Sequence, residues 1–266
     1  MWNALVVTPI TQGILFFKNL LTGFGVPYSF GFAIILFTLL IKILTLPLNL
    51  QQLRASKAMQ ELQPKLQELQ RKYRKNKEKL AQEQMKLYRE AGVNPLGGCL
   101  PTLIQFPIWI GLYQALFRLA QQGTLSEGFF FIPSLAKPVG LTWLWPPSNW
   151  QWPDVAAYLV LPVLTLLTQI IVQKMMSTPS TDTQQEIMNQ MMYMFPIMFF
   201  FFALQVPSGL ALYWVTMNVF TMIQQYIFMG GWGGLSPYKA PVETSRRKGA
   251  KDGERDKKRR SQRSHR

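Results

Sequence analysis

Four stretches of this 266-residue sequence are almost free of charge: 28–50, 95–117, 155–173 and 191–235. Each of the first three is about as long as a helix crossing a bilayer, roughly 20 residues. The fourth is too long for one crossing, and Pro207-Ser208-Gly209 divides it into 192–206 and 208–229. Apolar residues fill every face of these stretches, whereas a helix on the surface of a soluble bundle is greasy on one face only. The pattern predicts five spans. Ahead of them, Leu5, Ile10, Ile14, Phe17 and Leu21 recur at helical intervals, which predicts an amphipathic helix within 1–27 lying on the membrane surface.

Charge sets the orientation. Of 28 Lys and Arg residues, 11 fall in 51–91 and 12 in 239–266, against 13 acidic residues in the whole chain. Segment 1–27 has only Lys18, and segment 118–154 only Arg118 and Lys137. The positive-inside bias therefore puts 51–91, the loop 174–190 and the tail in the cytosol, with the N-terminus outside. Trp143, Trp145, Trp150 and Trp152 then fall in the outer loop 118–154, at a depth that suits amphipathic rings. Nothing basic precedes the first apolar residues, so no cleavable signal is expected.

Between the first and second spans, Met59, Leu62, Leu66, Leu69 and Tyr73 repeat at 3-4-3-4 intervals. That spacing predicts a coiled-coil hairpin over 51–91, its first helix interrupted and bent at Pro64, turning near Asn76 and returning on Ala81, Met85 and Tyr88. Such a hairpin either packs only on itself or meets anionic lipid and incoming chains. The tail 236–266, basic and poor in apolar residues, is expected to be disordered and to bind polyanions such as ribosomal RNA or anionic lipids. The alternative is a plain topology anchor. Met175, Met176, Met188, Met191 and Met192 cluster around the second cytosolic loop, either as lipid-facing filler or as a surface that adapts to many apolar sequences.

Lys42 is the one charge inside a span. Burying it costs about 2.5–3.5 kcal/mol on insertion scales, so it either serves a function or snorkels to the headgroups. Thr38, Lys42, Thr45 and Asn49 lie at 4-3-4 intervals on one helical face, as do Trp214, Asn218, Thr221 and Gln225. Thr102 and Gln105 mark the second span; Thr165, Thr168, Gln169 and Gln173 mark the third. Facing stripes would enclose a polar groove around one positive charge. Enzymatic chemistry has little to work with: every acidic residue lies outside the spans, the one histidine is His265, and Cys99 is alone. Neither a His-Glu-x-x-His motif nor a glycine-rich phosphate loop is present. No catalytic residue, metal or cofactor is expected.

Several ordered motifs carry a family resemblance. They are Leu46-Pro47-Leu48; Asn94 to Cys99 leading through Pro101 to Gln105-Phe106-Pro107-Ile108; Phe195-Pro196-Ile197-Met198; and Pro207 to Trp214, followed by Asn218 and Ile223-Gln224-Gln225. Over residues 28–229 the sequence resembles the YidC-type membrane protein insertases. The resemblance implies an all-α integral membrane protein, five transmembrane helices around a groove open to cytosol and lipid but closed outside. It implies that clients enter from the cytosol, their short hydrophilic segments drawn across while the apolar span passes into lipid. A positive residue in the first core helix assists, and Lys42 holds that position where many members carry Arg. Lys keeps the charge but not the planar fork. Thr38, Tyr213 and Trp214 match family client-contact positions, and Gln169 is added from its own stripe.

The expected groove is therefore Lys42 with Thr38, Thr45, Asn49, Gln105, Gln169, Tyr213, Trp214 and Asn218. Expected partners are nascent membrane proteins, the ribosome through the tail, the Sec translocon and anionic lipids, at a bacterial plasma membrane. A channel or small-solute transporter is the alternative. It needs polar residues through the outer half of each span, where Phe30–Phe37 and Leu210–Leu212 are almost wholly apolar. A ribosome-tethering anchor would leave Lys42 without a role.

Overall fold

A computed structural model describes residues 1–93, 100–145, 147–176, 183–229 and 231–232. Among them the chain is helical, with one isolated β-bridge, Phe129 to Ile132. The elements are α1 (Thr8–Gly23), α2 (Ser29–Leu44), α3 (Leu46–Lys72), α4 (Lys77–Glu90), α5 (Leu100–Gln121), α6 (Asp154–Met176), α7 (Thr183–Ala203) and α8 (Ser208–Met229). By length and composition, two described helices can cross a membrane, Asn3–Gly23 and Asp154–Met176, or three if α2 and α3 count as one bent span. In α8, Asn218, Gln224 and Gln225 dilute the apolar run; in α7, the apolar part is Tyr193–Ala203. The 95–99 end of the second expected span, most of the loop 174–190 with the side chains of Met188, Met191 and Met192, and the tail 236–266 lie outside the described residues or side chains, whereas Met175 is buried in α6.

The N-terminal helix is part of the packed bundle. A wider-wound turn, Asn3–Val7, runs straight into α1, and Val7, Ile10 and Ile14 are buried at 3- and 4-residue intervals. Gly13 lets it approach α2, since a Cβ there would sit 2.6 Å from the Phe37 ring. Trp2 Nε1 donates to Gln114 Oε1 at 2.9 Å and Arg118 Nη2 to Asn3 Oδ1 at 2.8 Å, so α5 holds the helix start. Phe16, Leu20 and Phe24 remain exposed on the other face.

α2 begins on Tyr28, whose φ of 55° leaves no side-chain cap. Glu127, from the long loop, supplies the missing acceptor: Phe30 N donates to its Oε2 at 3.2 Å and Ser29 Oγ at 3.3 Å. A carboxylate also suits the positive end of a helix. The uninterrupted first span expected over 28–50 instead ends at Leu44, and α3 leaves at 62°. Pro47 has no amide to bond the carbonyl of residue 43 and crowds it, which breaks the helix there.

α3 and α4 follow one another across a short turn, and Asn76 caps α4 by accepting from Lys79 N at 3.0 Å. Two details differ from expectation. Pro64 sits inside α3 without ending it. On α4 the inward residues include Leu80 and Leu87, whereas Ala81 and Met85 are exposed. The leucines share a face at a 7-residue interval and have more to bury than Ala81. On α3, Leu53, Leu62 and Leu66 are buried.

The loop between α5 and α6 closes one end of the bundle. Leu125, Phe129, Ile132 and Leu135 are buried in the same apolar cluster as Phe30, Ile34, Leu112, Leu116, Leu119, Leu210 and Ala211. The Phe129 ring lies over Gly31, in the space a side chain there would fill. Backbone bonds stitch the loop to the α7–α8 turn: Ser208 N to Lys137 O at 3.0 Å, Gly209 N to Leu135 O at 2.9 Å and Gly140 N to Gln205 O at 2.9 Å. Trp143 joins this seal, its Nε1 donating to Leu204 O at 3.0 Å. Trp145, Trp150 and Trp152 are exposed, as amphipathic rings at an interface would be.

Candidate functional site

Between that cluster and the α3–α4 hairpin lies a cavity of about 490 Å³. Five helices and the start of α3 contribute to it. Lys42 comes from α2, and Asn49, Gln52 and Leu53 from α3. α5 supplies Gln105, Phe106 and Trp109; α6 supplies Gln169, Val172 and Met176. Phe195, Met198 and Phe199 come from α7, and Tyr213, Trp214, Met217, Asn218, Thr221 and Gln224 from α8.

Lys42 is only 6% exposed. Its ammonium donates to Thr221 Oγ1 at 3.0 Å, and the Thr221 hydroxyl in turn donates to Met217 O at 2.8 Å. An ammonium has three donors, and no carboxylate among the described residues pairs with it: the one ion pair there is Lys86–Glu90 at 4.0 Å on the hairpin. Lys42 therefore stays on the bundle side of the bend, fixed to α8, instead of reaching for headgroups. The result is a cation in a largely apolar wall with spare hydrogen-bonding capacity.

Aromatic rings form the floor. Trp214 stacks on Trp109 (centroids 6.1 Å, 28°) and meets Phe199 edge-on (5.3 Å, 88°). Tyr213 and Trp214, 3% and 5% exposed, belong both to the apolar cluster and to the cavity wall. They are the boundary between polar space and dry packing. Beside the cavity, Asn218 Nδ2 donates to Thr168 Oγ1 at 3.0 Å and ties α8 to α6. Thr168→Val should strip that donor of its acceptor and lower stability by about 1 kcal/mol. A double-mutant cycle with Asn218→Leu, read by thermal unfolding in detergent, measures the coupling; additive losses would show that the bond contributes nothing.

Seven of the nine residues expected from sequence line one cavity: Lys42, Asn49, Gln105, Gln169, Tyr213, Trp214 and Asn218. Thr38 and Thr45 do not. Their hydroxyls donate to the carbonyls one turn back, Ile34 O at 2.7 Å and Ile41 O at 2.8 Å, an internal satisfaction open to any helical threonine. Thr45 also accepts from Asn49 Nδ2 at 3.3 Å. Sequence spacing missed Gln52, the aromatic and methionine wall, and Gln224. The α8 stripe was extended to Gln225, but Gln225 is 1% exposed and off the cavity, while Gln224 lines it. Residues 224 and 225 are three and four positions past Thr221, so periodicity could not choose between them.

The chain matches the family described as "60Kd inner membrane protein" over residues 21–232. It is 42% identical over 252 residues to the chloroplast inner membrane protein ALBINO3 of Arabidopsis thaliana, covering 89% of this chain and 54% of that protein. The membrane protein insertase YidC of Fusobacterium nucleatum is 41% identical over 201 residues, covering 76% of this chain and 86% of its own. YidC 1 of Halalkalibacterium halodurans is 37% identical over 252 residues, covering 93% and 86%. The chain spans about half the length of the chloroplast relatives it matches.

Proposed function

We propose a function from one premise: this chain belongs to the 60Kd inner membrane protein family, and the YidC and ALBINO3 proteins are its relatives. It is a membrane protein insertase and chaperone of a bacterial inner membrane. Helices α2, α5, α6, α7 and α8 serve as its five spans. The basic hairpin faces the cytosol by the positive-inside bias, and the N-terminus and the long loop face out. A client's short hydrophilic segment enters from the hairpin side and leaves bulk water for the cavity. Lys42 attracts its acidic groups, and Tyr213 and Trp214 stop it at the floor while its apolar span passes into lipid. The carrying observation is a buried cation, the one such charge among the described residues, in a cavity backed by dry packing. A channel would need polar space where Phe30, Leu116 and Leu210 are at most 1% exposed.

The test is reconstitution. The purified chain goes into liposomes with an in vitro-synthesised single-span client bearing an acidic N-terminal segment, and protease protection reads insertion. Protection that depends on the protein is expected; equal protection in empty liposomes would contradict the reading.

The basic tail is proposed to hold the ribosome through its RNA, beside any Sec translocon or anionic lipid contact. Twelve Lys and Arg residues over 239–266 make such binding steeply salt-dependent. Ribosome co-sedimentation should fall sharply between low and physiological salt, and deletion of 239–266 should remove both the binding and the salt slope. A retained slope would place the contact elsewhere.

A further inference from the structure

Among the described residues, two that are not glycine take the left-handed backbone conformation: Tyr28 (φ 55°) and Phe130 (φ 52°). That conformation crowds the Cβ and is an outlier for a bulky residue. Far apart in sequence, the two meet in space. Their rings stack, with centroids 5.2 Å apart and planes 27° from parallel. Phe130 also meets Phe129 edge-on at 4.8 Å and Phe32 at 6.1 Å. Phe130 and Phe131 are the corner residues of a tight turn, closed by Phe129 N to Ile132 O and Ile132 N to Phe129 O, both at 2.9 Å. Such corners usually hold glycine, asparagine or aspartate. The flanking Phe129 and Ile132 are buried in the seal, while Phe130 and Phe131 are 60% and 57% exposed. A strained turn that aims two phenylalanines outward gains nothing inside the bundle. Local rules broken together in this way mark a surface that meets something.

We propose that Tyr28, Phe130 and Phe131 form an anchor in the outer leaflet of the bilayer, seated where headgroups meet acyl chains, an inference that rests on α2 being a span. Continuity selects lipid as the occupant. Phe32, whose ring touches both Phe129 and Phe130, begins a row continued by Leu36, Leu40 and Ile43 at intervals of 4, 4 and 3, one face of α2. Leu36, Leu40 and Ile43 are exposed, and theirs is the face that a spanning α2 turns to acyl chains. The aromatic turn carries this row past the helix start at Ser29. Tyr28 stands at that end, its apolar ring and polar hydroxyl suited to a boundary between chains and water. Residues 128–136 carry no charge that would resist burial in lipid, and Glu127 beside them turns back to cap α2. Because the same turn sends Phe129 and Ile132 into the seal, the anchor ties the loop that closes the bundle to the bilayer itself.

The test places the full chain in lipid nanodiscs, one copy in each, in a Cys99→Ser background with a polarity-sensitive fluorophore on one introduced cysteine. Phe131→Cys probes the turn, Leu36→Cys the outward row of α2 and Lys77→Cys the exposed hairpin. The quenchers are iodide in the water and phospholipids bearing a nitroxide near the headgroup or at the chain end. The label at 131 should be quenched more by the headgroup-side nitroxide than by the chain-end one, and several-fold less by iodide than the label at 77. A second measurement leaves the sequence intact, and so stands even if Phe131→Cys does not fold. A phospholipid with a diazirine near its headgroup should cross-link to peptides containing 129–132 of the unmodified chain. Iodide quenching at 131 equal to that at 77 would put the turn in water. Shielding from iodide and nitroxide alike would mean that protein covers it. Either result, or cross-linking that spares 129–132, overturns the anchor. If the label at 36 also escapes the lipid quenchers, the assignment of α2 as a span falls with it; failure at 131 alone leaves that assignment standing.

Discussion

Lys42→Glu should reduce insertion of an acidic-tailed client by tenfold or more, while Lys42→Arg keeps most of the activity and Lys42→Ala lies between. Lys42 is 6% exposed and its ammonium bonds the neutral Thr221 hydroxyl. At 4 Å and an effective dielectric of 20, two unit charges interact by about 4 kcal/mol. Reversing the sign turns that attraction into repulsion, so even a fraction of it exceeds the 1.4 kcal/mol that gives a factor of ten. Arginine keeps the charge and adds donors. A client whose tail is neutral should respond far less to the whole series. Equal insertion of the acidic client by all four proteins would show that Lys42 is held for structure alone.

Phe30→Ala should lower stability by about 3–5 kcal/mol, because the side chain is 0% exposed at the centre of the seal and leaves a void that rigid neighbours cannot fill. The surroundings explain why collapse is limited: Phe30 N is tied to Glu127, and Phe129 is seated on Gly31 next door. A fall in thermal unfolding midpoint relative to the parent protein, measured in detergent, is the readout. The exposed Phe16 serves as the comparison, since Phe16→Ala removes a ring that nothing in the bundle packs around completely. A cost at Phe30 no larger than at Phe16 would mean that the seal is loosely packed and that the end opposite the hairpin is not closed.

The sequence was most legible where chemistry left one choice. Pro207-Ser208-Gly209 placed the α7–α8 turn, and α8 begins at Ser208 as the pattern required. Lys42 announced itself, because an uncompensated charge in an apolar run has few explanations. Long amides also read well: Asn49, Gln105, Gln169 and Asn218 all reach the cavity, since an amide has too many donors and acceptors to satisfy on its own turn. Threonines misled. Thr38 and Thr45 share the face of Lys42, yet a hydroxyl can bond the carbonyl one turn back and need no water. Pro47 signals the helix break at Thr45, a signal that the expectation of one span over 28–50 passed over, and how far α3 turns depends on packing that no local pattern records. The seal was the least legible part. Leu125, Phe129, Ile132 and Leu135 lie in a segment whose spacing suggested only a loop, and their burial depends on contacts with α2 and α8 far along the chain.

The central claim is a polar cavity reached from the hairpin side and closed at the other end. Gln169→Cys in a Cys99→Ser background tests it most directly, since Gln169 lines the cavity and a membrane-impermeant maleimide reports which face admits water. Vesicles of opposite orientation give the two sides. The account predicts labelling when the hairpin face is exposed to reagent and none from the loop face. Labelling from the loop face at a comparable rate would mean a continuous pore, and the blind groove would have to be given up.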